Sequence, residues 1–301
     1  MYDIIIIGAG PAGLTSAIYA LRADKKVLLL EREVFGGQVT YSPMIENYPG
    51  YIRMSGNEFA EKLIDQVVSM GGDFELDTIR SVIDCGDTKK VIGDGAEYEG
   101  KAVIIATGVR HRQTGIRNED SLVGKGISYC AVCDGAFYKD KTVAVLGGGN
   151  SALQEVVLLS GLCKKVYVIQ NLDFLTGEAR LAEKVNAAEN VEIITGTVIT
   201  ALNGTDELES LTLKRLADES ESTLEVDGLF VAIGLEPDND RFSDVAPLDE
   251  NGYFDTDESC LTATPGVFVA GDCRKKQIRQ ITTAAADGSV AALAACRYID
   301  R

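Results

Sequence analysis

The chain has 301 residues, 46% of them hydrophobic, and its length and 31 glycines fit two α/β domains with separate cores. Its formal net charge of −17, from 29 basic and 46 acidic residues, argues against nucleic acid or an anionic membrane as a partner. No run of about 18 or more apolar residues occurs and no basic leader precedes the first strand, so we predict a soluble, cytoplasmic protein.

The first predicted elements form a strand–turn–helix–strand unit. Its turn carries Gly8, Gly10 and Gly13, and its second strand ends at Glu31. Glycines at this spacing admit a pyrophosphate to the start of the helix, and an acid at the end of the second strand binds an adenosine ribose. We therefore predict a dinucleotide site. The predicted strand, helix and strand cover residues 4–7, 13–23 and 26–30.

A turn-rich loop over residues 33–50 follows, with no repeating period. It contains Gly36, Gly37, Gln38 and Asn47, and it is either a simple connection or backbone that approaches a ligand closely. The elements predicted downstream are a helix over residues 56–70, short strands to about residue 98, and a strand over residues 102–106 that stops at Thr107 and Gly108.

A second unit repeats this plan. Its strand leads into Gly147, Gly149 and Ala152, but the position that corresponds to Glu31 holds Gln170. Gln170 is neither a carboxylate for a ribose nor a cation for a 2′-phosphate. The turn is either a nucleotide site that has lost the residue that binds the ribose or the 2′-phosphate, or a tight turn without a ligand. The elements predicted here and to the end of the chain cover residues 142–146, 152–160, 165–169, 229–233 and 267–270, followed by an alanine-rich helix to residue 295.

Among seven cysteines, only Cys130 and Cys133 have functional spacing. Such a pair at a helix start can close a small disulfide, and the helix N-terminus stabilises the nucleophilic thiolate. Structural and metal roles are the alternatives, but a single CxxC and one histidine, His111, indicate no metal site; we expect His111 at the surface or at a hinge. Asp134 is either a proton donor and acceptor or a helix cap. The cysteines predicted to be small buried hydrophobes are Cys85, Cys163, Cys260, Cys273 and Cys296.

Over essentially its whole length the chain resembles the low-molecular-weight thioredoxin reductases. The matching motifs, in the same order, cover residues 8–13, 36–38, 46–50, 106–108, 130–135, 147–152, 227–237, 271–272 and 279–280. The resemblance implies an α/β fold of two Rossmann-like, three-layer domains, the second inserted into the first. Residues 1–112 and 246–301 would form the FAD-binding domain, and residues 113–245 an NAD(P)-type domain that carries the redox disulfide.

The resemblance also implies how FAD would be bound. Asp272 would bind the ribityl chain, while Gln38, Asn47 and Gln280 would lie near the isoalloxazine ring. The other positions expected to bind FAD are Gly8, Gly10, Gly13, Glu31, Gly37, Thr107, Gly108 and Arg279.

For the disulfide, the resemblance implies a division of roles. Cys133 would face the flavin and take its electrons, Cys130 would attack the disulfide of thioredoxin, and Asp134 would handle the proton. Thioredoxin is thus the expected partner, and the enzymes of this family work as homodimers.

The chain departs from the family pattern at the NADPH site. Members that use NADPH carry a His-Arg-Arg run and one further arginine; the residues here are Gln170, Asn171, Leu172 and Thr176. Each lost charge-assisted hydrogen bond costs about 1.5 to 3 kcal/mol, so tight NADPH binding is not expected. Asp173 is a substitute carboxylate for NADH, and Arg180 is the nearest downstream arginine.

In this respect the chain is similar to the ferredoxin-dependent flavin thioredoxin reductases. Ferredoxins are acidic, so docking to a protein of charge −17 requires a local basic patch. The densest cationic run, Arg274, Lys275, Lys276 and Arg279, is either that patch or a solvated loop. Two alternatives remain: an NADH- or NADPH-dependent reductase with an atypical site, and a non-catalytic flavin-binding redox sensor, against which the intact CxxC argues.

Overall fold

A computed structural model of the chain describes residues 1–42 and 45–301. The chain divides into two compact units, one formed by Met1–Arg110 with Glu236–Arg301 and the other by His111–Leu235. In sequence, the second unit is therefore an insertion in the first.

The helices and strands are numbered in chain order. Their bounds are β1 (Tyr2–Ile7), α1 (Pro11–Arg22), β2 (Val27–Glu31), α2 (Gly56–Ser69), β3 (Asp73–Leu76), β4 (Ile79–Asp84), β5 (Lys89–Gly93), β6 (Glu97–Ile105), β7 (Arg110–His111), α3 (Glu119–Leu122), β8 (Ile127–Ser128), α4 (Ala131–Asp134), β9 (Thr142–Leu146), α5 (Asn150–Ser160), β10 (Lys165–Ile169), α6 (Ala179–Ala187), β11 (Val191–Ile194), β12 (Thr197–Asn203), β13 (Ser210–Arg215), β14 (Glu221–Glu225), β15 (Gly228–Val231), β16 (Leu235–Glu236), β17 (Val267–Val269) and α7 (Ile281–Ile299).

The first unit is built on a sheet with the strand order β3–β2–β1–β6–β5–β4, and β17 also pairs with β6. β1 runs parallel to β2 and β6, with Ile4 beside Val27 and Ile7 beside Ile105. The isoleucines of β1 are buried on both faces, as expected for a central parallel strand. Helices α1 and α7 cover one face, and Phe254 packs against the other. The turn after β1 thus lies at the carboxyl edge of the sheet, where ligands bind in such folds.

The boundary of the first unit differs from the prediction. The unit resumes at Glu236, before the predicted residue 246. The reason is that Phe242 and Val245 are buried in the core of the first unit. Helix α1 also begins earlier than predicted, because Pro11 fits the first helical position after Gly10.

The second unit has a parallel sheet in the order β11–β10–β9–β15–β8. Helices α5 and α6 pack on one face, and the antiparallel sheet β12–β13–β14 packs on the other. This gives three layers. The predicted α/β fold with Rossmann-like parallel sheets is confirmed, although the sequence did not indicate helix α6 or the antiparallel sheet.

Within residues 1–42 and 45–301, none of the helices combines the length and apolar composition needed to cross a bilayer.

Candidate active site

In the first glycine turn, Gly8 and Gly13 are required by the close packing of the backbone, whereas Gly10 borders open space. Gly8 has a φ of +105°, and a Cβ on it would lie 2.3 Å from the carbonyl oxygen of Ala106. A Cβ on Gly13 would lie 1.9 Å from the carbonyl oxygen of Gly8, so α1 packs on the turn only with glycine there. A Cβ on Gly10, in contrast, would meet nothing closer than the carbonyl oxygen of Gly36 at 3.9 Å. The space beside Gly10 adjoins the uncapped start of α1 and suits an anionic group.

Glu31 is held at the end of β2 by backbone amides. Its Oε2 accepts a hydrogen bond from the N–H of Ala9 at 2.8 Å, and its Oε1 accepts from Arg32 at 2.8 Å and Glu33 at 3.1 Å. Ala9 belongs to the glycine turn, so the predicted ribose-binding acid lies beside the predicted pyrophosphate site. The carboxylate keeps lone-pair capacity for a ribose hydroxyl.

Two loops reach the same edge of the first unit. A Cβ on Gly37 would lie 3.0 Å from the Cα of Gly10. From the same loop, the side-chain amide of Gln38 donates to the carbonyl oxygen of Val109. Gly108 has a φ of +67°, and a Cβ on it would meet nothing within 4 Å. Gly37 therefore packs closely on the first glycine turn, Gln38 reaches the loop that contains Gly108, and Gly108 borders open space.

Asp272 has a carboxylate oxygen that lacks a hydrogen-bond partner among the described residues. Its Oδ1 is shielded from solvent and accepts no hydrogen bond from the described residues, and the Nζ of Lys276 stands 3.7 Å away. Burial raises the pKa of Asp272 to about 6, although the charges of Lys276 and Arg279 oppose the rise. Arg279 donates to the carbonyl oxygen of Asp272 at 3.2 Å, and the Nδ2 of Asn47 donates to the Oε1 of Gln280 at 3.2 Å. A ligand hydroxyl would supply the missing hydrogen bond to this oxygen.

Cys130 and Cys133 form a disulfide, with their Cα atoms 5.3 Å apart. The Sγ of Cys130 accepts a hydrogen bond from the N–H of Cys133 at 3.2 Å. The predicted helix start is present, but α4 is a single turn and carries little macrodipole. The hydrogen bond from the backbone N–H of Cys133 therefore replaces the stabilisation of the sulfur that a longer helix would give. Val132, between the cysteines, is 61% exposed, which leaves the redox motif open to a partner.

Asp134 binds the loop before the disulfide. Its Oδ2 accepts a hydrogen bond from the hydroxyl of Ser128 at 2.6 Å, and the Oγ of Ser128 accepts from the N–H of Cys130 at 3.1 Å. Asp134 makes no capping hydrogen bond, so the helix-cap alternative is wrong. Burial raises the pKa of Asp134, and the hydrogen bond from Ser128 opposes that rise. A carboxyl in such surroundings is suited to hold a proton.

The remaining cysteines are free thiols. The prediction of burial is wrong for Cys85, which is exposed because it lies in the turn between β4 and β5, where its N–H donates to the carbonyl of Thr88 at 3.0 Å. The others are buried, and burial raises their pKa values, which keeps them protonated and unreactive. These are Cys163, Cys260, Cys273 and Cys296.

The second glycine turn has a packing reason for its first glycine. Gly147 has a φ of +131°, and a Cβ on it would lie 2.5 Å from the carbonyl oxygen of Ala232. A Cβ on Gly149 would meet only the Oγ1 of Thr176, at 3.7 Å. The turn thus requires Gly147 with or without a phosphate.

The segment after β10 folds back over this turn. The carbonyl oxygen of Gly148 accepts hydrogen bonds from the N–H groups of Thr176 at 2.8 Å and Gly177 at 2.9 Å. Gln170 is buried, and its Nε2 donates to the carbonyl of Phe174 at 3.4 Å. The remaining positions where NADPH-dependent relatives would carry cations are exposed and neutral: Asn171, Leu172 and Thr176.

The cationic run over residues 274–279 is not a basic surface patch, so that prediction is wrong. Arg274 is 2% exposed and binds Asp287 through two hydrogen bonds, at 2.8 and 2.9 Å. Lys276 is also buried and lies 2.9 Å from Asp287. Lys275 is exposed but paired with Asp255 at 3.2 Å. Arg274 and Lys276 thus form a buried charge network with Asp287 of α7.

This network gives a stability prediction. We expect Arg274→Met to destabilise the holoprotein by about 3 kcal/mol, because it removes two hydrogen bonds from the buried carboxylate of Asp287. The matched variant Lys275→Met removes an exposed partner and should cost less than about 0.5 kcal/mol. Urea unfolding followed by circular dichroism measures both, and equal losses would contradict the inferred role of the buried pair.

His111 stacks on Tyr129, with ring centroids 5.1 Å apart. Burial lowers the pKa of His111 to about 4, so the ring is neutral at physiological pH. The hydroxyl of Tyr129 donates to Glu119 at 2.8 Å. Tyr129 directly precedes Cys130, so these contacts fix the start of the redox motif within the second unit.

Comparison with known proteins identifies the family. Residues 2–288 match the model of the pyridine nucleotide-disulphide oxidoreductases. A thioredoxin reductase of Listeria innocua is 40% identical over 301 residues, which cover 100% of this chain and 94% of that protein. The chain belongs to the thioredoxin reductase family. A family member from Streptococcus pyogenes has 36% identity and a TM-score of 0.95, with 100% and 98% of the two chains covered. A ferredoxin-flavin thioredoxin reductase from Clostridium acetobutylicum has 30% identity and a TM-score of 0.53, with 98% and 97% covered.

Thioredoxin reductases of this family are flavoproteins that bind FAD. The first unit fits this cofactor. The open space at Gly10 and the uncapped start of α1 suit a pyrophosphate, and Glu31 suits a ribose. The oxygen of Asp272 that lacks a hydrogen bond among the described residues suits a ribityl hydroxyl.

Sequence reasoning does not single out two residues of these sites. Asn239 is fully buried; it accepts from the hydroxyl of Thr107 at 3.1 Å and donates to the carbonyl of Cys273 at 3.0 Å, which fixes the Thr107 turn. No sequence signal marks it. Glu155 lies on α5 near the disulfide, and its signal is visible: an acid three residues after Ala152, on the apolar stripe of the helix.

Proposed function

We propose that this protein reduces thioredoxin through Cys130 and Cys133 with electrons from a donor other than NADPH, and that ferredoxin is that donor. The proposal against NADPH rests on the residues of the segment after β10. It offers no cation to a 2′-phosphate and instead contains Asp173 and Glu178. A 2′-phosphate carries nearly two negative charges at neutral pH, so these carboxylates repel it.

The FAD contacts are proposed to lie in the first unit, and the second unit is the NAD(P)-type domain that carries the disulfide. The proposed FAD-binding residues are Gly8, Gly10, Gly13, Glu31, Gly37, Gln38, Asn47, Thr107, Gly108, Asp272, Arg279 and Gln280. When bound, FAD would supply the two electrons that reduce the Cys130–Cys133 disulfide to the dithiol.

The dithiol form of the chain then carries out thiol–disulfide exchange. The Cys130 thiolate attacks one sulfur of the thioredoxin disulfide, that S–S bond breaks, and the leaving thiolate takes a proton from Asp134. Cys133 next attacks the Sγ of Cys130, which releases the second thioredoxin thiolate and restores the Cys130–Cys133 disulfide. Asp134 is supported in this role by its burial and by its hydrogen bond from Ser128.

The ferredoxin proposal is supported by the likeness to the Clostridium acetobutylicum enzyme. The net charge of −17 works against long-range attraction of an acidic ferredoxin, and three cations of the run over residues 274–279 are paired with carboxylates: Arg274, Lys275 and Lys276. A ferredoxin complex would therefore depend on short-range contacts.

NADH is the second candidate donor, because Asp173 is an exposed carboxylate close to the end of β10. An NADPH-dependent enzyme with an atypical site is less favoured, since it lacks the cations. A non-catalytic redox sensor is least favoured. This chain has an accessible Cys130–Cys133 disulfide, which such a sensor would not need. We further propose a homodimer, as in the family; the cytoplasmic location stays a prediction.

The donor is tested by mixing the holoenzyme anaerobically with NADPH, with NADH, or with chemically reduced ferredoxin, and following the flavin absorbance. We expect rapid bleaching with ferredoxin and none with NADPH at the same concentration. Rapid bleaching by NADPH would overturn the donor proposal. Bleaching by NADH that is lost in Asp173→Asn would assign the second candidate.

A further inference from the structure

Tyr129 directly precedes Cys130 and is held by two side chains that the proposed reaction does not use. Its hydroxyl donates to the Oε1 of Glu119 at 2.8 Å. Its ring stacks on the imidazole of His111, with the ring centroids 5.1 Å apart and the ring planes inclined by 30°. The ring is half-buried and packs on the hydrophobic cluster between the two sheets of the second unit. The residue next to the redox cysteine is thus fixed both by a hydrogen bond and by an aromatic contact.

Glu119 is a buried carboxylate of α3 whose own position is fixed by further hydrogen bonds. Its Oε1 also accepts from the N–H of Thr114 at 2.9 Å. Its Oε2 accepts from the hydroxyl of Thr114 at 2.8 Å and from the N–H of Gly115 at 3.0 Å. Hydrogen bonds to a carboxylate are stronger than those between neutral groups. Glu119 is therefore a firm point of attachment for the hydroxyl of Tyr129.

His111 is the residue at which the second unit begins, and Leu235 is the residue at which it ends. The N–H of Arg112 donates to the carbonyl oxygen of Gly234 at 3.0 Å, which joins the two ends of the unit. Burial lowers the pKa of His111 to about 4, so a neutral ring makes the stack. The stack connects these joined ends to the redox motif. The side chains that hold the motif are called the Tyr129 clasp: His111, Glu119 and Tyr129.

The clasp matters when the disulfide is open. α4 is a single turn, so it gives Cys130 and Cys133 little support of its own once the S–S bond is broken. The hydrogen bond from the N–H of Cys133 to the Sγ of Cys130, at 3.2 Å, requires the backbone at Cys130 to stay in place. Ring closure between two thiols is more favourable when the sulfurs are already held close together, because less freedom is lost.

We propose that the Tyr129 clasp keeps Cys130 within reach of Cys133 while the disulfide is open, so that Tyr129 is a positioning residue. This inference rests on the proposed thioredoxin reduction. In the step that it favours, the Cys133 thiolate attacks the Sγ of Cys130, the bond from that Sγ to thioredoxin breaks, and the released thiolate takes a proton. The same arrangement favours the enzyme disulfide over the dithiol in equilibrium with an external dithiol.

Substitutions test the clasp one contact at a time. Tyr129→Phe removes the hydroxyl that binds Glu119 and keeps the ring. His111→Ala removes the stack, and His111→Phe is the conservative variant that restores an aromatic face. Tyr167→Phe is the matched control, because Tyr167 is a half-buried tyrosine that packs on the same hydrophobic cluster but belongs to β10. If His111→Ala fails to fold, Tyr129→Phe decides alone, since it removes a single oxygen atom.

The main test is the anaerobic equilibrium of the holoenzyme disulfide with a dithiothreitol buffer, measured by alkylation of the thiols and mass spectrometry. Tyr129→Phe should shift the equilibrium constant toward the dithiol by about tenfold, or about 30 mV, because it loses one hydrogen bond to a carboxylate. His111→Ala should shift it by about fivefold. His111→Phe and Tyr167→Phe should stay within about twofold of the wild type. An unchanged constant in Tyr129→Phe or in a folded His111→Ala would overturn the proposal, even if the free energy of unfolding falls, because the role would then be merely structural.

Nuclear magnetic resonance provides a readout that needs no redox reaction. His111 is the one histidine of the chain, so signals from a labelled imidazole need no assignment. The ring current of Tyr129 should displace these signals in the oxidised holoenzyme. The displacement should remain in Tyr129→Phe and disappear in Tyr129→Leu, and unchanged signals in Tyr129→Leu would overturn the clasp. If the wild type fails to reduce thioredoxin, the proposed function fails, but the dithiothreitol equilibrium still decides whether the clasp positions Cys130.

Discussion

Replacing Cys133 by serine is expected to abolish thioredoxin reduction while FAD stays bound. The disulfide lies wholly in the second unit, and the proposed FAD contacts lie in the first, so the substitution removes the electron path without touching the flavin site. Loss of a group that forms a covalent intermediate lowers turnover by at least about 10³-fold. Steady-state thioredoxin reduction and the flavin-to-protein ratio measure the two effects.

Cys85→Ser is the control for this experiment. Cys85 is an exposed free thiol in the first unit, so its loss should leave turnover unchanged. If Cys133→Ser turns over thioredoxin at the wild-type rate, the assignment of the disulfide is wrong. The order of the sulfurs is tested with a single-cysteine thioredoxin activated as an aromatic disulfide: Cys133→Ser should form a stable mixed disulfide through Cys130, and Cys130→Ser should form far less.

The glycine positions of the first site are predictable from sequence because backbone geometry dictates them. Gly8 requires a positive φ, and Gly13 lies where any Cβ would overlap the carbonyl of Gly8. Such requirements leave a fixed spacing in the sequence. The same reasoning is less decisive for the second turn, because Gly147 is required by its packing on Ala232 whether or not a nucleotide binds.

Charge is harder to interpret, because a sequence does not show which side chains are paired. The residues over 274–279 form a dense cationic run, but Arg274 and Lys276 point to Asp287 on α7, which lies on a different element. Burial alone would raise the pKa of Asp287, yet hydrogen bonds from both cations lower it. Only the fold shows that Arg274 and Lys276 form buried ion pairs with Asp287.

The side-chain contacts around the disulfide also cannot be seen in the sequence. Asp134 next to a CxxC motif permits a cap or a proton carrier; the structure excludes the cap, because the side chain makes no capping hydrogen bond and instead accepts one from Ser128. Glu155 is distant from the motif in sequence and reaches it only because α5 packs on α4. Contacts of this kind depend on the packing of helices and leave only a weak trace, an acid on an apolar stripe.

Installing arginines at Asn171, Leu172 and Thr176 is expected to create use of NADPH. All three positions are exposed, so arginines fit there without repacking, whereas Gln170 is buried and is left unchanged. Each charge-assisted hydrogen bond to a 2′-phosphate contributes about 1.5 kcal/mol at the low end, so the triple variant should favour NADPH over NADH by at least about 100-fold more than the wild type does. Anaerobic flavin reduction at varied NADPH and NADH concentrations gives this ratio.

A general effect of added positive charge must be separated from recognition of the phosphate. The control carries arginines at Thr205, Ser222 and Thr223, exposed positions on or beside the antiparallel sheet of the same unit. It has the same net charge as the test variant, but its new cations are not on the segment that folds over the second glycine turn. An equal gain in both variants would show that bulk charge attracts the nucleotide. A gain in neither would show that the turn at Gly147 does not accept a nucleotide, and the missing cations would then be a consequence of a different donor rather than its cause.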